Sequence, residues 1–403
     1  MDPSIPTTIL EKILGMYTLD VVVDSYNKYL NYWPIFLTGL IFSFVILPII
    51  GKFAIKWGAI YQPKIKRRNR EYDNPEKAIH EIDTPALGGL AIALPVIIGM
   101  LLLFRLDGFT IPILLATFIL VLGSILDDIF NLSSKIQMGY QLLASSIIAF
   151  SIIDLANISF FTNDFLNLTT YTWSTQILTI PLSFVFPGDI FLIVWILFCI
   201  NAVKWVGGSP GLIESYSLII FLLLFIIGVR TFSLFSSTFS ILITGSLLSL
   251  LYFAFPSPKI MSGSSGKTIY GFLISVLALI SGVKFSTTIM LLALPLIDAL
   301  YVIFYRYITY KPKNILDLMR INDTSHIHHQ LLKLNLSSRQ ILLLETSISL
   351  LIGSLAILST GALRYFALIF GLSTVIAFIV YVNYKAHRKE KQKEGSPESK
   401  YSY

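Results

Sequence analysis

The sequence predicts an all-α polytopic membrane protein, and three observations carry that prediction. More than half of the 403 residues, 55%, are hydrophobic. Only 13% are charged, and the mean hydropathy is +0.75. The apolar residues also fall into runs close to the roughly 20 residues that a helix needs to cross a bilayer. An ordinary soluble domain is excluded by this composition. The formal net charge of +7 would suggest nucleic acid in a soluble chain. Here the basic residues gather in a few loops and in the tail, which fits orientation in a membrane and gives no reason to expect a nucleic-acid partner. The single cysteine, Cys199, lies inside an apolar run, so one chain can build neither a disulfide framework nor a thiolate metal site.

Taken in order, residues 1–32 lack the basic start and continuous apolar centre of a cleavable signal peptide and read as an interfacial, partly amphipathic segment. Residues 33–384 form one membrane domain. Its spans are expected at Trp33 to Phe53, Ala86 to Phe104, Phe109 to Leu126, Gln137 to Ala156, Ile190 to Val206 and Leu212 to Val229. Further spans follow at Thr231 to Phe255, Thr268 to Val283, Ser286 to Tyr305, Ile341 to Leu358 and Ala362 to Val382, about eleven helices in all. The segment after the first span carries Lys52, Lys56, Lys64, Lys66, Arg67, Arg68, Arg70 and Lys77, which the positive-inside rule assigns to the cytoplasm. Alternation then puts the N-terminus outside, the C-terminus inside, and every unusual polar motif on the cytoplasmic face of the plasma membrane. The longest outer loop, Asn157 to Asp189, contains no lysine or arginine, and its TTYTWSTQILTI stretch reads as a strand or small hairpin. Residues 385–403 are a basic tail expected to be disordered and to rest on anionic membrane lipids.

Five polar stretches interrupt the apolar pattern. DTPALGG, from Asp83, reads as a helix start with Asp83 or Thr84 as cap and glycines for close packing. Asp127 and Asp128 end an apolar run, with Lys135 about two turns further on. Adjacent like charges at a helix C-terminus repel each other and the helix dipole, so a cation is expected nearby, unless the pair is simply a solvated cap at the membrane boundary. NAVKWVGGSPGLIE carries Asn201, Lys204 and Glu214 around a glycine-rich break, with Ser209 expected as a helix cap. SGSSGKT resembles the end of a P-loop, but Met261 stands where that motif needs its first glycine. What remains is a flexible helix entrance in which Lys267 can hold an anion. NDTSHIHHQLL places Asp323, His326, His328 and His329 together, following Asp298 and Arg306. Their spacing fits no zinc signature, while histidine and arginine serve well as donors to phosphate.

The order of these motifs resembles that of the polyprenyl-phosphate N-acetylhexosamine-1-phosphate transferases, the glycosyltransferase family 4-like membrane enzymes. The resemblance runs from about Trp33 to Val382 through TPALGG, the LDD pair with Lys135, Asn201 with Gly211 and Leu212, the PLID ending at Asp298, Arg306, and D-x-x-H-x-H-H from Asp323 to His329. It implies transfer of a hexosamine 1-phosphate from a UDP-sugar to a polyprenyl phosphate lipid with Mg²⁺ and release of UMP, as the first step of a cell-envelope glycan. It also implies Asp127 and Asp128 as catalytic or metal-binding residues. Substrate binding then falls to Lys135, Asn201, Lys204, Lys267, Asp298, Arg306, Asp323, His326, His328 and His329.

The sequence departs from the family pattern at several of these positions. Lys204 replaces an asparagine, Gly207 and Pro210 replace aspartates, Ser264 replaces the aspartate that resembles a metal ligand, and Thr324 replaces a basic residue. The formal charge of the expected site moves by about five units toward positive, which disfavours Mg²⁺. Two expectations follow: a transferase in which Lys204 and Lys267 supply the charge of the metal, or an inactive relative that binds polyprenyl phosphate or nucleotide, as a homodimer or as partner to an active transferase. In both, the counter-charge of the Asp127 and Asp128 pair is expected to be Lys135, Lys204 or Lys267. The sugar, the prenyl length and the oligomeric state are not fixed by the sequence.

Overall fold

A computed structural model describes residues 31–61, 83–153, 157–158, 166–177, 180–282, 285–314, 317–318, 321 and 323–394. The expected interfacial segment before residue 31, the basic run from Lys64 to Lys77 and the end of the tail lie outside the described residues. The helices are α1 (Trp33–Trp57), α2 (Leu90–Leu103), α3 (Thr110–Phe130), α4 (Ser134–Ala149), α5 (Gly188–Val206), α6 (Leu212–Arg230) and α7 (Leu234–Ala254). They continue as α8 (Gly263–Ile280), α9 (Phe285–Leu291), α10 (Ala293–Tyr310), α11 (Ile327–Lys333), α12 (Ser338–Leu358) and α13 (Leu363–Glu394). The chain is an all-α polytopic membrane protein.

Each expected span falls on helix, but the helices are not equivalent. Among the described residues, eight are long and apolar enough to cross a membrane: α1, α3, α5, α6, α7, α8, α12 and α13. The expected span from Ser286 to Tyr305 is a pair, α9 and α10, bent by 79° at its break. Helix α2 has only 14 residues and α4 has 16, the latter because Gln137, Gln141 and two serines dilute its apolar run. α13 continues to Glu394, carrying the helix into the basic stretch that begins at Lys385. The expected cap at Asp83 or Thr84 is corrected: Thr84 and Pro85 form strand β2, paired antiparallel with β1 (Ile60–Tyr61), and the helix starts at Leu90. Pro85 carbonyl oxygen accepts from Met261 N–H and Ala86 N–H donates to Ala59, so these backbone groups are committed outside any helix. Ser209 is likewise not a cap, because α6 begins after Gly211.

At the end of the bundle away from the polar motifs, β5 (Thr169–Ile177) and β6 (Ile180–Pro187) form the hairpin expected from the sequence. A second short pair, β3 (Asn157–Ile158) with β4 (Leu166–Asn167), precedes it. The hairpin is fastened to the end of α4 by Ser183 N–H donating to Phe150 O and by the contact of Phe150 with Phe184.

The centre of the bundle is α6, α7 and α8, buried over 78%, 83% and 78% of their apolar windows, whereas α1 is 22% buried. Apolar side chains give helices in lipid little reason to associate, so backbone proximity and small residues take over. Where α1 crosses α7, Gly39 and Gly245 let the two backbones touch. A Cβ at Gly39 would meet Leu242 O at 2.1 Å, and one at Gly245 would meet Phe36 O at 2.2 Å. Ser246 and Ser249 of α7 complete the contact by donating to the carbonyl oxygens of Gly39 and Leu40. Gly245→Ala is therefore expected to destabilise the protein by about 1–3 kcal/mol. Gly139→Ala, whose Cβ meets nothing within 4 Å, is expected to be neutral or slightly stabilising. Thermal unfolding in detergent distinguishes the two.

Candidate active site at the polar end of the bundle

The C-terminal turn of α3 brings Asp127 and Asp128 to the polar end of the bundle, and each carboxylate is neutralised differently. Asp127, with its side chain 4% exposed, lies 3.7 Å from the Lys204 ammonium on α5. Gln137, from the first turn of α4, joins the two: its amide donates to Asp127 Oδ1 at 2.8 Å and its carbonyl accepts from Lys204 Nζ at 2.6 Å. Gln137 also ties to Leu132 O, which fixes the short link between α3 and α4. One turn along both helices, Asn201 donates to Gln141 Oε1, so α4 and α5 share a ladder of polar contacts.

Among the described residues no lysine pairs with Asp128. Its Oδ1 accepts from Ser264 N–H at 2.6 Å and its Oδ2 from Ser265 N–H at 3.0 Å. These are orphan amides in the first turn of α8, where the helix dipole presents positive charge, so a carboxylate from another helix caps α8. The cap requires Gly263. Its φ is +69°, and a Cβ there would meet Ala86 O at 1.6 Å and Asp128 Oδ2 at 2.5 Å. Thus the pair's counter-charges are Lys204 for Asp127 and a helix N-terminus for Asp128. Lys135 is exposed and, among the described residues, forms no ion pair.

Lys267, one turn into α8, donates to Gly207 O at 2.9 Å, and its ammonium lies 5.6 Å from the centre of the Tyr61 ring. Lys204 is within electrostatic reach of Lys267 as well as of Asp127 and Asp128. The two lysines therefore come from different helices to within electrostatic reach of each other, Lys267 alone contacting the turn after α5. Glu214, buried in the first turn of α6, accepts from Ser262 Oγ at 2.5 Å and from Ser262 N–H at 3.3 Å, and Tyr270 hydroxyl lies 3.0 Å from the same serine oxygen.

A second cluster packs on the same turn. Asp298 of α10 accepts from Ile327 N–H at 3.0 Å, and its other oxygen is 2.7 Å from His326 Nδ1. Asp298 thereby fixes the orientation of the His326 ring. Arg306 forms a bidentate pair with Asp323, at 2.9 and 3.1 Å, with both side chains under a tenth exposed. Ser325 Oγ donates to the same carboxylate at 2.6 Å. Trp205 joins the clusters: the Arg306 guanidinium lies 5.7 Å from its ring centre and the His326 ring 5.5 Å. The rings of His326, His328 and His329 follow one another, with centre distances of 5.9 and 4.3 Å. His328 occupies the space that a side chain at Gly208 would need.

The donor set does not fit Mg²⁺. Both oxygens of Asp128 accept backbone amides, Asp127 is shared between Gln137 and Lys204, and Ser264 brings no carboxylate. Among the described residues no group of three or more acidic, histidine or cysteine side chains is placed to hold a metal ion. What the arrangement offers instead is cationic: among the described residues Lys267 uses one hydrogen-bond donor of three, and Lys204 donates to Gln137 and pairs with Asp127. Gln137 and Gln141 were not legible as site residues. Their spacing of four on a helix that otherwise reads as a membrane span was the available signal, since amides in lipid need partners.

Two stability predictions follow from these contacts. Asp128→Ala leaves the Ser264 and Ser265 amides without an acceptor and is expected to cost about 2 kcal/mol in thermal unfolding, with Asp128→Asn recovering part of the loss. Burial acts to raise the Asp323 carboxyl, but hydrogen bonds from Arg306 and Ser325 outweigh it and hold it below the ordinary carboxylate value. A lowered folded value means stability that is complete above about pH 4 and is lost as pH falls through the folded value. Asp323→Asn is expected to remove that acid step, measured as the thermal midpoint between pH 5 and 2.5.

Residues 110–282, from α3 to the end of α8, match the family Glycosyl transferase family 4. The chain is 28% identical over 357 residues to a probable undecaprenyl-phosphate N-acetylglucosaminyl 1-phosphate transferase from Bacillus subtilis, covering 86% of this chain and 88% of that protein. It is 28% identical over 270 residues to a phospho-N-acetylmuramoyl-pentapeptide-transferase from Clostridium botulinum, with 64% and 76% covered. A protein of the same name from Staphylococcus haemolyticus is 24% identical over 296 residues, with 72% and 87% covered. The matched stretch contains both aspartates, both lysines and the α8 N-terminus, and the wider alignments extend over the flanking helices. The chain is thus similar to glycosyl transferase family 4 from α3 to α8, and over most of its length to a probable undecaprenyl-phosphate N-acetylglucosaminyl 1-phosphate transferase.

Proposed function

We propose that the protein transfers an N-acetylhexosamine 1-phosphate from a UDP-sugar to a polyprenyl phosphate at the cytoplasmic face of the membrane, with two lysines in place of the family's metal. The observation that carries this reading is that Lys204 and Lys267, from different helices, lie within electrostatic reach of each other, Lys267 on the glycine-rich turn after α5 and Lys204 on Gln137 and Asp127. In the reaction, an oxygen of the lipid phosphate attacks the sugar-bearing phosphorus of the nucleotide sugar. One P–O bond forms there, and the bond from that phosphorus to the bridging oxygen breaks. The bridging oxygen leaves with UMP, which takes the electron pair. Negative charge builds on the transferred phosphoryl oxygens and the leaving group, where fixed ammonium groups stabilise it best.

The other residues take supporting roles in this reading. Asp127, through Gln137, aims Lys204, and Asp128 holds the start of α8 so that Lys267 faces the same turn; both are positioning residues. Asn201 keeps α5 in register with α4. Asp298 orients His326, and Asp323 orients Arg306, so imidazole and guanidinium donors stand beside Trp205 for the substrate's phosphates. Lys135 has no part at the site.

One observation favours a second reading, an inactive relative that binds polyprenyl phosphate or a nucleotide or partners an active transferase. Asp128, which resembles a catalytic residue, is engaged at both oxygens as a structural cap. Purified protein given polyprenyl phosphate and a panel of UDP-N-acetylhexosamines separates the two. The transferase reading expects UMP release that survives EDTA, with Lys267→Gln and Lys204→Gln each lowering kcat by about 10²-fold, the loss typical of removing one charge-stabilising donor. Binding of polyprenyl phosphate without UMP release from any donor, weakened by Lys204→Ala, would establish the second reading instead.

A further inference from the structure

A groove lies on the lipid-facing side of the bundle, between the C-terminal halves of α1 and α7, and belongs to neither cluster of the site. Leu47, Pro48 and Gly51 of α1 form one wall, and Phe253 and Ile260 face them. Lys52 and Lys259 line the same groove. Both lysines are exposed, and among the described residues neither is ion-paired. Around it the helix surfaces are apolar and open: Phe44, Val45, Ile49 and Ile55 of α1 and Tyr252 of α7 are all at least 46% exposed. The groove thus continues the surface that faces hydrocarbon, and its charge lies at the end of the bundle that carries the site.

We propose that this groove binds an anionic glycerophospholipid, one acyl chain between α1 and α7 and the phosphate against Lys52 and Lys259. An apolar slot alone would accept any lipid tail, but two ammonium groups at one edge select a negative headgroup at the depth where a phosphate lies. Continuity with the hydrocarbon-facing surface argues for a lipid over a peptide or a soluble anion. The depth of the slot depends on Gly51, where an added Cβ would meet only the tip of the Ile260 side chain, at 3.8 Å. A larger residue there fills the groove and leaves the backbone undisturbed. The inference does not depend on the transferase reading, since it uses none of the residues placed in that site.

The test is native mass spectrometry of the full-length protein in detergent, titrated separately with phosphatidylglycerol and phosphatidylcholine. Wild type is expected to retain one phosphatidylglycerol at a concentration roughly 20-fold below that needed for phosphatidylcholine, from two lysines near a headgroup. The double variant Lys52→Gln with Lys259→Gln is expected to lose that 20-fold preference while still binding phosphatidylcholine. Gly51→Leu is expected to lose the first bound lipid of either kind. Equal binding of the two lipids by wild type would overturn the proposal, as would a Gly51→Leu variant that binds phosphatidylglycerol like wild type. Displacement of the bound phosphatidylglycerol by inorganic phosphate would also overturn it, in favour of a bare anion site. Displacement by an equimolar polyprenyl phosphate would overturn it in favour of a substrate lipid.

Discussion

The structure depends on housing two adjacent carboxylates, one buried and one half-buried, where a membrane helix ends. Unpaired, such charges are costly in a low-dielectric setting, and side by side they also repel each other. The protein separates their solutions. Asp127 takes a lysine from α5 and an amide from α4, which fixes α3, α4 and α5 relative to one another. Asp128 takes the open amides of α8, which pins that helix to α3. Four helices are therefore held at one end by contacts to one dipeptide, and the turn after α5 is placed by their arrangement.

That turn is where the remaining polar groups meet. Gly207 presents its carbonyl to Lys267, Gly208 makes room for His328, and Trp205 lies between Arg306 and His326. Each cation near it is held by an acid or by a backbone carbonyl. A site assembled this way is cationic and pre-oriented, which suits substrates that are themselves phosphates. Gly207 and Pro210 bring no carboxylate to the turn, and Asp127 is the acid that Lys204 meets among the described residues.

Parts of this were legible from local sequence. Apolar run length indicated where helices lie, and the T-Y-T-W alternation indicated a hairpin. Histidines three in four positions indicated a cluster, and a cation beside the aspartate pair, lysine or metal, could be inferred from charge alone. Helix starts were read less well. Asp83, Thr84 and Ser209 have capping chemistry but do not cap: the backbone after Asp83 pairs with strand β1 and the loop before α8, and α6 begins after Gly211, beyond Ser209. The actual cap of α8 comes from Asp128, 136 residues away in sequence from Ser264. No local pattern encodes a cap supplied by another helix.

The sequence by itself determined the class of the protein and the end of the bundle at which its chemistry lies. Both are sums over many residues: apolar runs long enough for a bilayer, and charges excluded from them. Tertiary structure alone decided which cation meets which carboxylate, that α9 and α10 bend instead of forming one span, and that Gln137 and Gln141 join the site. The reason is physical. Transfer from water to lipid is paid residue by residue and can be read in order, whereas a salt bridge or a helix cap exists only at distances of a few ångströms, which the packing of distant segments sets.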